Sequence, residues 1–376
     1  MHHMMKLWNQ TVALIFVLGI IIGSSLAAQE KQKEEKQDDH FTLEKRIPAT
    51  PVKDQHRSGT CWSFASVSFI ESELLRTGKG TCDLSEMFFV RQAYLAKAVK
   101  YVRMHGKIKF GGGGLSHDVI NVWKEDGLVP EAAYDGLQTG DSLPVHHEMD
   151  AVLQGYIDQV IKNPNRTLTP LWKEGFEGIL DAYLGKKPDT FVYKGGIHTP
   201  RSFADGLGLD PDDYVMIGSF THHPFYEDFI LEIPDNWSWG TIKNVPLGEM
   251  MAVLEHALKQ GYSVCWDADV SERGFNRKKG ILLMPPEETE ETITQEMRQR
   301  AFDNYQTTDD HLMHITGLAR DQGDKRFYMV KNSWGTGDHI YQGYLFASEA
   351  YVRAKTLFMV VHRDAVPRII AEKLGI

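Results

Sequence analysis

The stretch that decides the fold is residues 51–65, which read Pro51-Val52-Lys53-Asp54-Gln55-His56-Arg57-Ser58-Gly59-Thr60-Cys61-Trp62-Ser63-Phe64-Ala65. Its first part predicts a loop, because Ser58-Gly59 is a turn-forming pair. From Trp62 to Arg76 there is no proline or glycine, apolar residues recur near helical spacing, and Thr77-Gly78 provides a stop. The pattern therefore places Cys61 at the N-terminus of a helix.

This placement suggests a reactive thiol at Cys61. The partial positive charge at a helix N-terminus favours a thiolate over a thiol. The alternative for a lone cysteine is a small buried apolar side chain. Gln55 lies six residues upstream and could donate a hydrogen bond to an oxyanion that forms beside the Cys61 backbone N–H. Gln55 and the Cys61 amide are thus the predicted oxyanion hole.

A cysteine nucleophile needs a base and a group that orients the base. His311 precedes one apolar run near the C-terminus, and Asn332 follows the next, with a polar turn at 321–324 between them. Both runs read as strands. We therefore expect the Asn332 oxygen to accept from the His311 imidazole, and Trp334 to shield that hydrogen bond from water.

Taken together, these motifs resemble the papain-type cysteine peptidases, and most closely their bleomycin hydrolase and aminopeptidase C branch. Other segments that resemble this branch are Leu84-Ser85-Glu86, Phe88-Phe89, Gly113-Gly114, Gly127-Leu128-Val129-Pro130 and the stretch from Gly261 to Gly280. Ser58 also fits the branch, because secreted papain-like enzymes outside it usually carry a disulfide cysteine there. The resemblance runs from about Ile47 to Arg368.

The resemblance implies an α+β, papain-like fold of two lobes. The helical lobe is expected mainly over 55–255, with helices at Trp62–Arg76, Leu84–Met104 and Val119–Glu125. The β lobe is expected mainly over 260–365, with strands at Val264–Trp266, Ile281–Met284, His314–Leu318, Phe327–Lys331 and Tyr344–Phe346. Cys61 and His311 are 250 positions apart, so an insertion between them is also expected.

Two histidines compete for the role of base. In the branch the pattern is His-Ala-Met, a variable residue, an apolar residue and then Thr-Gly, and the stretch from His311 to Gly317 fits it with His311 as the base. His314 lies three positions further along the strand, so its side chain points to the opposite face. We expect His314 to be an ordinary, partly buried histidine.

Gly113 and Gly114 are the predicted substrate-binding residues. Backbone without a side chain can pair with an extended peptide. A plain flexible loop is the alternative. The Gly111–Gly114 run lacks the lysine and the strand–turn–helix setting of a phosphate-binding loop.

No metal or cofactor is expected. The pairs His146-His147 and His222-His223 should point their side chains apart, without a carboxylate or cysteine at ligand spacing. Asn236-Trp237-Ser238-Trp239-Gly240 echoes the motif at Asn332 but lacks an upstream histidine, so its aromatic residues are expected to pack. The sequence leaves open whether Cys82 and Cys265 are buried thiols or a disulfide.

The composition argues against nucleic acid as a partner, and the N-terminal residues predict that the protein is exported. With 41 Lys+Arg against 51 Asp+Glu, the net charge of −10 argues against a nucleic-acid binder. The apolar run from Val12 to Ile22 is too short to span a bilayer and indicates a secretory signal peptide over 1–28. A polar linker over 29–45 and one peptidase domain over 46–376 follow. We expect an exported, periplasmic or extracellular protein without stable membrane insertion, and active without maturation because no folded pro-domain fits the linker.

The predicted function is hydrolysis of peptide bonds by acyl transfer to Cys61. The branch carries a C-terminal arm that enters its own active site and blocks longer substrates, and here the sequence ends at Ile376 without it. We therefore expect incomplete aminopeptidase specificity, with N-terminally blocked peptides also cut. The contrasting hypothesis is an inactive papain-like protein that binds peptides. The branch tends to form hexameric rings, so the resemblance leaves a homo-oligomer open.

Overall fold

The computed structural model describes residues 41–376 except for positions 139, 166, 338 and 339. The predicted signal peptide and the linker up to residue 40 lie outside this range. The linker was predicted to extend to residue 45, whereas the strand β1 already begins at Phe41 and covers Phe41–Arg46. Phe41, Thr42 and Arg320–Asp324 belong to a small separate unit, while Leu43–Ala319 and Lys325–Ile376 form the main body.

The helices of the first half agree with the sequence pattern. The predicted helix after the loop is confirmed as α1, Cys61–Arg76, so that Cys61 is its first residue. The next two are α2, Glu86–Arg103, with Ser85 as its N-cap, and α3, Ser116–Asp126. The remaining helices are α4 His147–Ile161, α5 Leu171–Leu184, α6 Pro200–Leu207, α7 Leu247–Gln260, α8 Gln295–Asp303, α9 Glu349–Lys355 and α10 Arg368–Leu374. No helix in the described ranges is both long and apolar enough to cross a bilayer.

Two short strands, β2 Phe191–Tyr193 and β3 Gly196–His198, form a hairpin of their own. The other strands build one large sheet: β4 Tyr214–Gly218, β5 Asp228–Ile230, β6 Thr241–Asn244, β7 Val264–Ala268, β8 Phe275–Asn276, β9 Ile281–Leu282, β10 His311–Asp321, β11 Arg326–Lys331, β12 Tyr344–Ser348 and β13 Thr356–His362. Their order is β5-β6-β4-β13-β7-β10-β11-β12-β9-β8, and β1 pairs with β10.

The sheet corrects the predicted lobe boundary. Residues 55–255 were assigned mainly to the helical lobe, but β4, β5 and β6 lie between Tyr214 and Asn244 and belong to the sheet. Strand β13, which pairs with both β4 and β7, was not predicted from the sequence. All but the last residue of β13 are buried, and a strand covered on both faces shows no apolar–polar alternation to reveal it.

The sheet has apolar cores on both faces, and alternation along its strands decides what each residue meets. On β10, Leu312 belongs to the core built around the helices of the first half, whereas Met313 and Ile315 belong to the core that includes α7. On β7, Cys265 and Trp266 divide in the same way. Helix α1 contacts β7 directly. Because β7 pairs with β10, this contact places the start of α1 near the start of β10.

Candidate active site

Cys61 opens α1 without help from a capping side chain. Thr60 is the N-cap residue but makes no side-chain capping hydrogen bond. Its carbonyl accepts from the backbone N–H of Ser63 at 3.0 Å, which closes the first turn. The Cys61 side chain is partly exposed, and its sulfur accepts a hydrogen bond from the backbone N–H of Leu312. The cysteine from the helical half thus touches the strand that begins at His311.

His311 and Asn332 meet as the sequence predicted. His311 Nε2 lies 2.7 Å from Asn332 Oδ1, and both side chains are buried. The Asn332 oxygen also accepts from the backbone N–H of Ser333 at 2.8 Å, which fixes the amide so that its oxygen faces the ring. The Trp334 ring stacks on the imidazole with centroids 4.6 Å apart and an interplanar angle of 26°. One ring nitrogen of His311 is thereby held, and water is kept from one face of the ring.

Gln55, in the loop before α1, is anchored to Ser333, the residue after Asn332. Its backbone N–H donates to the Ser333 carbonyl at 2.8 Å, and its side-chain oxygen accepts from the Ser333 hydroxyl at 2.6 Å. The amide NH₂ of Gln55 therefore points away from Ser333 and is the end left to donate. Ser58 bonds the Gln55 carbonyl at 2.7 Å and the Thr60 hydroxyl at 2.5 Å. These contacts shape the loop that leads into Cys61.

Burial opposes charge on both members of the cysteine–histidine pair. It raises the pKa of the Cys61 thiol to about 12, helped by the negative charges of Asp309, Asp267 and Asp235, although the hydrogen bond from Leu312 works against this rise. Burial also lowers the pKa of His311 to about 4, against the opposing effect of Asn332. The helix N-terminus alone suggested a thiolate; the surroundings instead favour the neutral thiol and the neutral imidazole.

His314 faces the other way, as the strand geometry predicts. Its Nδ1 lies 2.8 Å from the hydroxyl of Ser68 on α1, and its side chain is fully buried. Burial and the nearby Lys331 hold the pKa of His314 well below its usual range. His314 is therefore a neutral packing residue in this structure, and its ring is held by Ser68.

The glycine pair has a packing role that the sequence did not reveal. A Cβ at Gly113 would overlap the carboxylate of Asp235, and one at Gly114 would lie 2.9 Å from Asp118 Oδ2 and 3.0 Å from the Trp62 ring. The Gly113 carbonyl accepts from the ammonium of Lys97. The predicted pairing of this backbone with substrate stays a prediction.

The loop that carries Asp235 is the segment with the second Asn-Trp motif. Asn236 closes this loop by donating to the carbonyls of Leu231 and Gly240 at 2.9 and 3.0 Å. Trp237 is buried, and its indole N–H donates to Asp118 Oδ2 at 2.9 Å. Trp237 thus packs as predicted for the aromatic residues of this motif, whereas Trp239 is 45% exposed and has the ammonium of Lys100 over its ring. The loop lies against the glycine segment.

Three aspartates near Cys61 were missed as a group. Asp309 stands two residues before His311, Asp267 lies on β7 directly opposite Leu312 in the register, and Asp235 comes from the loop of the insertion. A signal for Asp267 was present, since it is a charged residue inside a strand whose five residues are all buried. Its proximity to the other two aspartates is a matter of tertiary structure.

The expectation for His222 and His223 was wrong in its geometry. Their rings lie 4.5 Å apart, and both Nε2 atoms contact the carboxylate of Glu232, at 3.0 and 2.8 Å. Among the described residues, these three side chains are the one group close enough together to hold a metal ion. The pair therefore converges on a shared carboxylate instead of diverging.

The hydrogen bonds around His222 nevertheless disfavour a metal. Gln299 Oε1 accepts from the Thr221 backbone N–H at 2.7 Å, so its NH₂ group must face His222 Nδ1, at 2.9 Å. His222 Nδ1 then accepts, and the proton sits on Nε2, the atom that would have to bind the metal. The arrangement suits an imidazole that donates to Glu232.

The remaining cysteines are free thiols. Cys82 and Cys265 are both buried and unpaired with one another. Cys265 lies 3.3 Å from the Ser116 hydroxyl, and Cys82 accepts from the Tyr193 hydroxyl at 3.6 Å. Burial raises the pKa of both thiols. The structure therefore decides for buried thiols over a disulfide, the choice that the sequence left open.

Comparison with known proteins places the chain in a family. A model of the peptidase C1-like family matches residues 184–375, more than half of the chain, and a model of the papain family cysteine proteases matches residues 38–206. The chain belongs to the peptidase C1-like family. It is a cysteine-type peptidase of this family, as its motifs predicted.

Relatives of this C1-like peptidase cover most of its length. Aminopeptidase C of Lactococcus lactis subsp. cremoris is 24% identical over 370 residues, which cover 86% of this chain and 83% of the relative. Aminopeptidase C of Streptococcus thermophilus is 24% identical over 396 residues, covering 91% and 86%. The crystal structure of PepW from Lactobacillus rhamnosis HN001 superposes with a TM-score of 0.69 at 19% identity, covering 89% of this chain and 84% of that one. The predicted papain-like α+β fold is confirmed.

Proposed function

We propose that this protein is an exported cysteine aminopeptidase in which Cys61, His311 and Asn332 act as the catalytic triad. The observation that carries the proposal is the hydrogen bond of 2.7 Å between His311 Nε2 and Asn332 Oδ1, with Cys61 bonded to the next residue of the same strand. Because Asn332 Oδ1 can only accept, Nε2 carries the proton and Nδ1 is free to accept one.

The chemistry that this arrangement supports is acyl transfer with general-base catalysis. The raised pKa of the thiol and the lowered pKa of the imidazole mean that the proton rests on Cys61. As sulfur attacks the peptide carbonyl carbon, the S–C bond forms and His311 takes the thiol proton. The imidazolium then gives this proton to the leaving amine as the C–N bond breaks. Water, deprotonated by His311, hydrolyses the thioester and the thiol is restored.

Gln55 and the Cys61 backbone N–H are the proposed donors to the developing oxyanion. The hydroxyl of Ser333 occupies the Gln55 oxygen at 2.6 Å, so the NH₂ group of the amide is held ready to donate without reorganisation. Trp334 covers one face of the imidazole and limits competition from water for the His311–Asn332 bond. Each of these residues then acts where charge develops or where the base must stay oriented.

The aminopeptidase assignment rests on the relatives. Proteins named aminopeptidase C, G, E and W are similar to this chain.

A thiol-reactive epoxide tests the proposed nucleophile. We expect Cys61 to be modified first near neutral pH, because it is partly exposed, whereas Cys82 and Cys265 are buried against the hydroxyls of Tyr193 and Ser116. Cys61→Ala should lower turnover of a leucine anilide by about 10⁴-fold or more and leave the circular dichroism spectrum unchanged. Modification of Cys82 or Cys265 first would refute the assignment. Labelling of Cys61 without any turnover would favour the peptide-binding alternative.

Export is proposed from the sequence of the first 28 residues, which lie outside the described range. A basic start, a short apolar centre and a small-residue exit support a cleaved signal. Expression of the full chain in a bacterial host, followed by N-terminal sequencing of the exported fraction, tests this. We expect the mature protein to begin near Gln29. Recovery of the uncleaved chain from the cytoplasm alone would contradict export.

A further inference from the structure

We propose that Asp235, Asp267 and Asp309 form a binding site for a primary ammonium group of the peptide substrate, next to Cys61. The inference rests on the proposed function, because it assigns the substrate group that this active site selects. We name these three residues the aspartate cluster.

The aspartate cluster is assembled from three separate parts of the chain around the nucleophile. Asp267 is paired in register with Leu312, whose backbone N–H bonds the Cys61 sulfur. Asp309 precedes His311 by two residues. The Asp235 carboxylate lies against Gly113, in the segment where the sequence places the substrate backbone. The negative charges of all three raise the pKa of the Cys61 thiol, and the charge of Asp235 also raises the pKa of Asp267 and of Asp309.

The cluster holds carboxylate oxygens without donors. Asp267 is 0% exposed, and neither of its side-chain oxygens accepts a hydrogen bond from any residue in the described ranges; the same is true of Asp309 Oδ2. The two carboxyl groups face each other instead, and burial raises the pKa of both, that of Asp309 to about 7, so that they hold a proton between them. Among the described residues, the cation in direct contact with the cluster is Lys109, half-exposed, at 2.7 Å from Asp235 Oδ1. Two buried carboxyl groups that have only each other as partners are costly to fold, so their presence needs a reason.

An ammonium group from the substrate would supply the hydrogen-bond donors and the positive charge that the aspartate cluster lacks. It supplies three N–H donors and a positive charge, and charge-assisted hydrogen bonds to carboxylates are the strong ones. An acetyl group on the same nitrogen removes the charge and two of the donors. The ammonium can come from the free N-terminus of the peptide or from a lysine side chain. We expect the N-terminus, because the proposed activity presents it to the site in every substrate.

Paired substrates test the cluster. Leucine 4-nitroanilide and its N-acetyl derivative are compared on the wild type, on Asp267→Asn and on Asp309→Asn, with Asp235→Asn as a third variant on a partly exposed loop. The matched control is Asp303→Asn, the same change at an exposed carboxylate outside the cluster, which accepts from the Gln299 amide at 2.7 Å. We expect kcat/KM for the free amine, relative to the acetylated peptide, to fall about tenfold or more in the cluster variants and less than twofold in the control.

A second pair of peptides separates the two sources of the ammonium. Acetyl-lysyl-leucine 4-nitroanilide and acetyl-norleucyl-leucine 4-nitroanilide differ only in the side-chain charge. Sensitivity of the free-amine substrate to the cluster variants assigns the site to the N-terminus. Sensitivity of the lysyl peptide alone assigns it to the side chain. If none of the cluster variants changes either ratio, the proposal is wrong.

Binding without turnover separates this proposal from the proposed function. On Cys61→Ala protein, calorimetric titration with leucinamide should give at least about tenfold tighter binding than with N-acetyl-leucinamide, and Asp309→Asn should remove the difference. Equal binding of the two amides would overturn the proposal even if the wild type is an active peptidase. A difference that persists while the wild type cuts nothing would refute only the catalytic assignment. The circular dichroism spectrum of each variant shows that it has folded.

Discussion

Two groups of buried charged residues lie close to helix α1, and they differ in whether their charges are compensated. One, which we name the lysine network, consists of Thr50, Lys53, Ser68, Glu71, Glu86 and Lys331. Lys53 Nζ contacts Glu86 at 2.8 Å, and Lys331 Nζ donates to the hydroxyls of Thr50 and Ser68 at 3.0 and 2.8 Å. The Thr50 hydroxyl in turn donates to Glu71 at 2.5 Å. Each charged group in this network has a hydrogen-bond partner, although burial still raises the pKa of Glu86 to about 8 and lowers that of Lys331 to about 8.

The aspartate cluster is less compensated, because the half-exposed Lys109 on Asp235 is its one cation in direct contact among the described residues. It gathers three carboxylates around Cys61, and the buried oxygens of Asp267 have no donor among the described residues. Both groups bear the cost of removing charge from water, and the lysine network regains more of it within the fold, because cations and carboxylates are present together in it. This difference in compensation indicates that the two groups of buried charged residues near α1 have different roles. The network fixes the loop and strands that carry the site, whereas the cluster is poised for a charge that arrives from outside.

The largest effect expected is on activity, and it distinguishes the two histidines of β10. His311→Ala should lower kcat by about 10³-fold or more, because the nucleophile loses its base. His314 contacts the lysine network through Ser68, so His314→Ala should mainly lower stability, by about 0.5–3 kcal/mol. Steady-state kinetics and urea denaturation of both variants measure this. The opposite pattern would show that the base has been assigned three residues too early.

A smaller effect is expected when the lysine network loses a cation. Burial lowers the pKa of Lys53, but the carboxylates of Glu86, Glu131 and Glu71 outweigh it and hold this pKa above the usual range. A raised pKa contributes stability below the unfolded value of about 10.4, so the contribution is complete at pH 8. Lys53→Met should therefore lower the free energy of unfolding at pH 8 by about 3 kcal/mol.

An exposed ion pair provides the control for this variant. Lys259 contacts Glu255 at 2.7 Å, and the lysine side chain is 60% exposed. Lys259→Met should change the free energy of unfolding by less than about 1 kcal/mol, since exposed pairs are screened by water. Equal losses in the two variants would mean that the lysine network is no better compensated than the surface.

The smallest effect expected has the opposite sign. Burial, together with the charge of Asp235, raises the pKa of Asp309 to about 7. For a carboxyl group with a raised pKa, the folded state binds more protons than the unfolded state, so stability falls as the pH rises from about 4 to 7. Asp309→Asn should therefore raise the free energy of unfolding at pH 8, by about 1–3 kcal/mol, with little gain at pH 4.

Urea denaturation of this variant and the wild type across that range measures the difference. The groups that act on Asp309 are Asp235, Asp267, Asp310 and Lys109. Asp309 in turn raises the pKa of Asp267, so the difference reports the titration of the Asp267–Asp309 pair. A loss of stability at pH 8 would mean that the Asp309 carboxylate is compensated after all. The two groups of charges would then be equivalent, and the aspartate cluster would need no ligand.

The sequence by itself determined the family, the start of α1 at Cys61, and the residues His311, Asn332 and Gln55 that the structure places around that helix end. These features lie in short segments whose order and spacing are local. A loop followed by a stretch without proline or glycine predicts a helix, and an apolar run after a turn predicts a strand. The most helpful segments were those in which pattern and motif coincide, such as Cys61 to Ala65.

Only the tertiary structure decided which distant residues share the space around those segments. It added β4, β5 and β6 to the sheet, turned His222 and His223 towards one carboxylate, and placed Asp235 against Gly113. The positions in these contacts are far apart along the chain or lack a periodic pattern. Their proximity follows from strand pairing and from the packing of a loop against the glycine segment, and these long-range contacts leave no trace in local spacing.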